Sequence, residues 1–309
     1  MRWQIVWLKN AGIGVLPLRC QQMLRTVKRK FFPNRVRVET LLVSQGLKQI
    51  RMLKRVGLDP AGKDILEIGT GWAPAIPLLF SLAGSRSTTF VDTQRLMDHN
   101  SFLQTCEELK KHLEIISKEL SIPKEKIAGF LNLLTKSTFD RSFNHLNYEY
   151  LAPYDLIHKP IKNRSFDIII SRAVFEHIPP GRLRVLTQLL FDLLKKGGAM
   201  CHIIDNSDHW EHKDKRINRV NFLKYSKQSF AVFSKLNPLD YQNRLRHSQY
   251  IRLFETSGFD IVMDESKPDK KTMDFLGGNF RIHSDFKKFS NEELATLTSF
   301  IVAKKRKGI

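Results

Sequence analysis

From residue 63 onward, the chain alternates short apolar runs with longer segments in which apolar positions recur every three or four residues. Uninterrupted runs rich in β-branched residues are typical of strands that are buried on both faces of a parallel sheet. Alternation of such strands with amphipathic helices predicts an α/β fold of the doubly wound type. The predicted strands are Asp64–Gly69, Thr88–Asp92, Tyr148–Leu151, Phe166–Ser171, Ala199–Asp205, Phe259–Met263 and Ser299–Ala303.

The interval between the second and third predicted strands is some 55 residues long, about twice what one strand–helix–strand crossover needs. Its apolar positions predict two helix faces that are separated by the cap-like Ser121-Ile-Pro123. We therefore predict a helical insertion over residues 96–147 and leave open whether it closes over a substrate. The two faces comprise Phe102, Cys106, Leu109, Leu113, Ile116 and Leu120, and then Ile127, Phe130, Leu131 and Leu134.

Charge changes the picture at the start of the chain. The formal net charge is +20, and residues 1–60 carry thirteen lysines and arginines against only Glu39 and Asp59. Such a surface attracts nucleic acid, an anionic membrane face or a phosphorylated substrate, although a solvated basic face without a partner is the alternative. Apolar and basic side chains mix over Ile13–Pro33, which predicts either an amphipathic helix on an anionic membrane or a helix packed on the main domain.

Two further features concern the cellular compartment. No segment reaches the roughly 18–20 apolar residues that span a bilayer. Only three cysteines occur, Cys20, Cys106 and Cys201, and their wide separation suits a reducing compartment. We therefore expect a cytoplasmic protein, with peripheral contact between residues 1–38 and the anionic inner membrane face as an open possibility.

The first predicted strand leads into Glu67-Ile-Gly69-Thr-Gly71, a glycine turn that lets a ligand approach the main chain closely. A dehydrogenase would place a third glycine where this chain has Pro74. The Glu67 carboxylate would repel a pyrophosphate but suits a cationic ligand, which favours S-adenosylmethionine (SAM) over NAD. Asp92 closes the second strand, 21 residues after Gly71, where an acid accepts hydrogen bonds from both ribose hydroxyls.

Together with Asp155 and the run Ser165–His177, these motifs resemble the class I SAM-dependent methyltransferases. The similarity covers about residues 60–205 and resumes at Ser257-Gly-Phe259 and in the closing strand. It implies a Rossmann-like sheet of seven strands, the last one antiparallel, with helices on both faces. It also divides the chain into a basic, largely helical region at 1–60 and a SAM-binding domain at 61–309.

The resemblance further implies roles for individual residues. Two departures from the family pattern are Ala73, where a third glycine is common, and the long insertion. In the implied arrangement, Ser171 and Arg172 follow the fourth strand beside the transferred methyl group. The implied cofactor-binding residues are Glu67, Gly69, Thr70 and Gly71 for the methionine part, Asp92 and Thr93 for ribose, Asp155 and Leu156 for adenine, and Ser171 and Arg172.

A hydroxyl acceptor needs a base, and candidates follow the fourth and fifth strands. His177 is one, although a histidine at this point in the resembled family is commonly structural. After the fifth strand, His209 is a candidate base, with Asp208 to orient it and His212 nearby. A divalent metal and a solvated loop are alternatives for this segment, and we assign no metal site from the sequence. Asn243-Arg-Leu-Arg246 predicts either a clamp for an anionic substrate or a surface ion pair.

Three classes of function remain open. We expect methylation, most simply O-methylation, of a small molecule or of a glycan or lipid-linked saccharide precursor, with an anionic acceptor as one variant. The charge of +20 suggests an RNA or DNA methyltransferase, but Ser171–His177 lacks the Asn/Asp-Pro-Pro-aromatic motif of enzymes that methylate base amines. A non-catalytic subunit that docks through its basic region is the third.

Overall fold

The computed structural model describes residues 36–236 and 241–306, together with five positions among the first twelve. The amphipathic segment predicted at Ile13–Pro33 lies outside the described residues. The strands are β1 (Asp64–Ile68), β2 (Ser87–Val91), β3 (Tyr148–Leu151), β4 (Phe166–Arg172), β5 (Leu194–Asp205), β6 (Phe259–Asp264) and β7 (Thr298–Lys305). From residue 36 onward, the described α-helices are α1 (Thr40–Arg55), α2 (Ala75–Leu82), α3 (His99–Leu109), α4 (Leu113–Leu120), α5 (Lys124–Thr135), α6 (Phe139–Leu146), α7 (Pro180–Leu193), α8 (His209–Lys213), α9 (Lys227–Leu236), α10 (His247–Thr256), α11 (Lys270–Leu276) and α12 (Asn291–Ala295).

All seven strands belong to one sheet in the order β3-β2-β1-β4-β5-β7-β6. Neighbours from β3 to β5 are parallel, whereas β7 is antiparallel to both β5 and β6. The predicted fold class is therefore confirmed, including the antiparallel last strand. Because β2 and β3 extend the sheet on one side of β1 and β4 and β5 on the other, the β1–β4 boundary is the switch point where such sheets bind ligands.

Both faces of the sheet are covered, as the uninterrupted apolar strands predict. In β1, the fully buried Ile65 packs into a hydrophobic cluster on one face, and Leu66 packs into a second cluster on the other. In β4, Ile168 and Ile169 divide between the same two clusters. A strand of this composition can exist only where helices exclude water from both of its faces.

Helix α1 belongs to the main core. Leu47, Ile50 and Leu53 are buried in the first hydrophobic cluster together with Ile65 of β1. The buried Gln49 side-chain amide donates hydrogen bonds to main-chain carbonyls of β4 and β5, at 3.1 and 2.9 Å. Helix α1 is thus packed on the sheet, and the core extends across the predicted boundary at residue 60.

The predicted insertion contains four helices, α3 to α6, where the sequence predicted two. The face that was predicted to continue through Leu120 is broken by a short 3-10 turn at Lys110–His112, and α6 was not predicted. Phe102 and Phe143 pack against each other, and Phe143 also packs against Phe90 of β2. The insertion is therefore attached to the edge of the sheet by aromatic contacts.

A third hydrophobic cluster lies apart from the two that cover the sheet. It is formed by two long connections, the one that follows β5 and the one between β6 and β7, and its centre includes Trp210, Phe222 and Phe230. Leu276, Phe286 and other residues of the second connection complete it. Within the part of the chain that the structure describes, every helix is too short or too polar to cross a membrane.

Candidate functional site

The turn after β1 depends on two glycines with left-handed backbone, Gly69 at φ +75° and Gly71 at φ +67°. The Gly69 N–H donates a 2.8 Å hydrogen bond to the carbonyl of Val91, which fixes the turn to the end of β2. A Cβ on Gly69 would lie 2.4 Å from Val174 Cγ2, whereas one on Gly71 would meet nothing within 4 Å. Gly69 is therefore required both by conformation and by space, and Gly71 by conformation alone.

Two carboxyl groups lie beside this turn. Glu67 is 4% exposed, and burial raises its pKa to about 8, against the effect of a hydrogen bond from the Thr70 hydroxyl and with a contribution from nearby Asp92. Asp92 accepts hydrogen bonds from the Gly71 and Gln94 N–H groups at 3.0 and 3.1 Å, and burial raises its pKa as well. Both carboxyl groups therefore resist ionisation, and a cationic ligand group bound beside them would favour their ionised forms.

A cavity of about 850 Å³ opens at the carboxyl ends of β1, β2 and β4, which is the switch point of the sheet. Of the predicted cofactor residues, Gly69, Asp92, Thr93, Asp155 and Leu156 line it. Much of the remaining wall is apolar. The other lining residues are Ile68, Val91, Leu96, Tyr154, Ile157, Ala173, Val174, His177, Ile178, Pro179, Arg182 and Leu186.

The insertion contributes little to this cavity. Leu96 is the only lining residue from the predicted 96–147 segment. In this arrangement the insertion packs on the edge of the sheet and does not cover the opening.

Asp155 is another carboxylate in the wall of the cavity. Its carboxylate accepts hydrogen bonds from the Arg182 guanidinium and, at 3.0 Å, from the Ile157 N–H. Burial alone would raise the pKa of Asp155, but Arg182 outweighs it and the pKa is lowered. The carboxylate is therefore ionised and held in place by a cation that also lines the cavity.

A cluster of imidazole rings lies next to the same cavity. The ring of His177, a lining residue, has its centroid 4.9 Å from that of His209, and the His209 ring stacks on His212 at 5.0 Å. Asp205, the last residue of β5, places Oδ2 3.5 Å from His209 Nε2 and 3.8 Å from His212 Nε2. Burial opposes ionisation of Asp205, but contacts with His209 and Ser207 outweigh it and hold its pKa well below the usual range.

Residues 45–264, which contain most of α1 and the strands from β1 to β6, match the family described as methyltransferase domain. The chain belongs to this family. It is a SAM-dependent methyltransferase, and SAM is its methyl donor. A search of curated proteins finds no match to the chain.

Solved methyltransferase structures are similar to the chain at low sequence identity. Phosphoethanolamine N-methyltransferase 2 from Haemonchus contortus, in complex with SAM, is 16% identical with a TM-score of 0.45, over 84% of this chain and 52% of that one. N-methyltransferase NodS from Bradyrhizobium japonicum WM9 is 10% identical with a TM-score of 0.45, over 91% and 97% of the two chains. Magnesium protoporphyrin IX methyltransferase from Synechocystis PCC 6803 is 10% identical with a TM-score of 0.43, over 90% and 91%. The family assignment rests on the match over residues 45–264 and not on these structures.

The structure corrects the predicted partner of His209 in this methyltransferase. Asp208 is the N-cap of α8, where its Oδ1 accepts a 2.8 Å hydrogen bond from the Trp210 N–H, and burial raises its pKa to about 7. The role that the structure shows for the Asp208 carboxylate is to cap α8. The carboxylate beside His209 is that of Asp205.

Ser171 and Arg172 also differ from their predicted placement. Both belong to β4 and do not follow it. The Ser171 hydroxyl is buried and hydrogen-bonded to His202 Nδ1 at 2.8 Å, and Arg172 Nε donates to Gln45 of α1 at 2.8 Å. Neither lines the cavity, and the residue that does so at this strand end is Ala173, whose φ is +54°.

Glu67, Thr70 and Gly71 are likewise absent from the cavity wall. Glu67 is buried in β1, and the other two form the turn above it. Their contribution is to hold the turn and Asp92, since Thr70 contacts Glu67 and the Gly71 N–H contacts Asp92.

The predicted anion clamp at Arg244 and Arg246 is wrong. Arg244 is buried and donates to the carbonyls of Phe222, Tyr225 and Ser226 at 3.1, 2.8 and 3.2 Å. Arg246 is 1% exposed and donates two 3.0 Å hydrogen bonds to the Asn206 carbonyl. Both guanidinium groups thus stabilise the connection after β5 and cannot reach a substrate.

Glu176 is a site residue that the sequence analysis did not single out. It lies in the short 3-10 turn Phe175–His177, it is 2% exposed, and burial together with the nearby Asp205 raises its pKa well above the usual value. The signal that could have identified it is its position directly before His177 at the end of a central strand. Asp205 could have been identified in the same way, because it is an acidic residue at the end of a central strand, as Asp92 is after β2.

Proposed function

We propose that this methyltransferase transfers the methyl group of SAM to a hydroxyl of a small molecule or of a glycan, such as a lipid-linked saccharide precursor. The observation that carries this proposal is the imidazole cluster beside the cofactor cavity. A hydroxyl is a weak nucleophile until a base accepts its proton, and imidazole is the side chain best suited to that task near neutral pH.

The cofactor half of the site fits SAM. Gly69 and Val174 both line the cavity, and a Cβ at Gly69 would collide with Val174. The absence of a side chain at Gly69 therefore leaves the backbone of the turn open to a ligand. Asp92 would accept the ribose hydroxyls, since each of its oxygens retains an unused lone pair besides the main-chain N–H that it binds. Asp155 and Leu156 would border the adenine, and Glu67 would hold the turn beside the methionine part through its contact with Thr70.

When bound, SAM supplies an electrophilic methyl group for an in-line displacement, and the protein must align the acceptor and exclude water. His177 lines the cavity and is placed to contact an acceptor. Asp205, which is held ionised, lies 3.5 Å from the His209 ring. A carboxylate in this position orients an imidazole and stabilises its protonated form.

The charge distribution supports a small acceptor over nucleic acid. In the described part of the basic region, Arg51 pairs with Glu119 at 2.7 Å, and Lys48 and Arg55 both pair with Glu265. Two carboxylates thus offset part of the charge of these three cations, which weakens the attraction of this surface for a phosphate backbone.

A peripheral membrane contact is a further part of the proposal. The residues before Val36 include eight lysines and arginines and no acidic residue, a composition that suits an anionic cytoplasmic membrane face and a lipid-linked acceptor. Val36 and Val38 are buried in the core, so a deletion should end at residue 34. We expect the full chain to float with phosphatidylglycerol vesicles but not with phosphatidylcholine vesicles, and the truncated chain to float with neither. Equal flotation of both chains would contradict the contact.

Calorimetry with SAM tests the cofactor half. We expect Asp92→Ala and Gly69→Val to weaken binding by at least about 10-fold, because a hydrogen bond to a charged group contributes about 1.5–3 kcal/mol. Asp98→Ala is the matched control, since it removes a carboxylate that caps α3 outside the cavity wall and should leave the affinity unchanged. A folded wild type that binds no SAM would contradict the assignment.

Release of S-adenosylhomocysteine in the presence of candidate acceptors tests the acceptor half. We expect turnover with hydroxyl-bearing glycans or lipid-linked sugars and a loss of about 100-fold or more in kcat for His209→Ala, in line with the contribution of a general base. Turnover with RNA alone, falling steeply as salt rises, would refute the small-acceptor proposal in favour of a nucleic-acid enzyme.

A further inference from the structure

Metal-ligating side chains converge at one end of the cofactor cavity. Glu176, His177 and His209 present one ligand atom each within 4.8 Å of one another, and Asp205, His209 and His212 do the same. The two groups share His209, so the five side chains are neighbours, although the distance limit is met within each group of three and not by all five together. Three imidazoles and two carboxylates form a donor set that suits divalent first-row transition metals.

Two of these side chains lack the partners that their burial demands. Neither carboxylate oxygen of Glu176 makes a hydrogen bond within the described residues, although the side chain is almost fully buried. His209 Nε2 is also buried without a hydrogen bond to any residue that the structure describes, and its contact with Asp205 is 3.5 Å long. A buried carboxyl group without a partner costs several kcal/mol unless it is neutralised or binds a cation.

The backbone holds these ligands from two adjacent strand ends. Glu176 and His177 lie in the turn after β4, and Asn243 anchors that turn through hydrogen bonds to the carbonyls of Phe175 and Ile178 at 2.8 and 3.0 Å. Asp205 ends β5. His209 and His212 lie in α8, which begins at the Asp208 cap. A metal site needs this kind of rigid support, because ligand positions must be fixed to a few tenths of an ångström.

We propose that Glu176, His177 and His209 bind a single divalent transition-metal ion, with Asp205 and His212 beside His209. Binding itself does not depend on the proposed O-methylation. The role of the ion does depend on the proposed O-methylation, because a Lewis acid at this edge of the cavity would assist a hydroxyl acceptor. With the ion bound, His209 is a ligand and the cation lowers the pKa of the acceptor hydroxyl.

Titration of chelator-stripped protein with Co²⁺ and Zn²⁺ tests the site. We expect ligand-field absorption of Co²⁺ that saturates at a single ion per chain, and displacement of Co²⁺ by Zn²⁺. We expect His209→Ala and Glu176→Gln to raise the Kd by about 100-fold or more, since loss of even an outer partner costs about 10–100-fold. Glu176→Gln keeps the shape of the side chain and replaces a buried carboxyl group, whose pKa is raised, with a neutral amide, so the fold should be retained.

The control is His145→Ala, which removes an exposed imidazole on α6 and should leave Co²⁺ binding unchanged. Absence of Co²⁺ absorption at millimolar metal, equal affinity in His209→Ala, or binding of Mg²⁺ as tight as that of Zn²⁺ would each overturn the proposal. The last result counts against it because imidazole ligands discriminate against Mg²⁺.

SAM affinity and methyl transfer, measured on the same chelator-stripped protein, separate the two proposals. Full O-methylation with chelator present and no metal binding would overturn the metal site and leave the proposed function intact, with His209 as a free base. Metal binding to the wild type and its loss in His209→Ala, without methylation of any hydroxyl, would support the metal site and contradict the proposed function.

Discussion

Replacing Gly69 with alanine separates two reasons for a glycine in the turn after β1. Gly69 and Gly71 share a left-handed backbone, with φ of +75° and +67°, but only Gly69 lacks space for a side chain. A Cβ there would lie 2.4 Å from Val174 Cγ2 and 3.3 Å from Cγ1. Gly71→Ala thus measures the conformational cost, and Gly69→Ala measures that cost together with the steric overlap.

The expected magnitudes follow from this geometry. A non-glycine residue in the left-handed region costs about 1–2 kcal/mol, so Gly71→Ala should lower the free energy of unfolding by about that amount. Forcing a methyl group into occupied space costs about 1–3 kcal/mol more, which predicts a loss of about 2–5 kcal/mol for Gly69→Ala. Val174→Ala removes both γ-methyl groups and leaves Cβ at 3.4 Å, an ordinary contact, so it should restore most of the steric part.

Urea unfolding of ligand-free protein, followed by circular dichroism, measures these differences. The double-mutant cycle of Gly69→Ala with Val174→Ala should give a favourable coupling of about 1–3 kcal/mol. If Gly69→Ala and Gly71→Ala were equally destabilising to within about 0.5 kcal/mol, or if the cycle showed no coupling, the close approach of Gly69 to Val174 would be refuted.

Two further variants probe the site in the same assay. Because burial raises the pKa of Glu67 from 4.5 to about 8, its contribution to stability is present below its unfolded pKa and is lost as pH rises through about 8, so Glu67→Gln should flatten the decline of the urea midpoint between these values. If the urea midpoint of Glu67→Gln declined with pH as steeply as that of the wild type, groups other than Glu67 would be the cause of the decline. Asn243→Ala should cost about 1–3 kcal/mol because it leaves the carbonyls of Phe175 and Ile178 without their donor, whereas Tyr250→Phe removes only one hydrogen bond to Asn243 and should cost less. Equal losses would contradict the anchoring role of Asn243.

The fold was predictable because its signal lies in local composition. Strands β1 and β4 contain consecutive apolar residues, Ile65-Leu66 and Ile168-Ile169-Ile170, and only coverage on both faces of the sheet explains that pattern. Asp92 was predictable for a related reason, since the end of a parallel strand fixes the edge of the sheet at which its side chain lies. The sequence therefore sufficed for the switch point and for the cavity-lining Gly69, Asp92 and Asp155.

The errors concern side chains whose direction is set by helix ends and distant packing. Asp208 and Asp205 are both near His209 in sequence, and only the start of α8 decides that Asp208 caps the helix while Asp205 faces the ring. Arg244 and Arg246 look like surface cations. Their burial depends on free main-chain carbonyls and aromatic rings in the connection after β5, which no local pattern reveals.

The two halves of the site have different origins in the fold. The cofactor half uses the ends of β1 and β2 and the switch point, all within the residues that match the methyltransferase-domain family. The imidazole cluster lies one strand further along, at the ends of β4 and β5, and its outer side belongs to the connection that forms the third hydrophobic cluster. Part of that cluster comes from the residues between β6 and β7, beyond the family match. We therefore expect the third cluster to determine which acceptor is methylated. Replacing the connection after β5 and the connection between β6 and β7 with those of another methyltransferase, with the sheet left unchanged, should alter the acceptor and preserve SAM affinity.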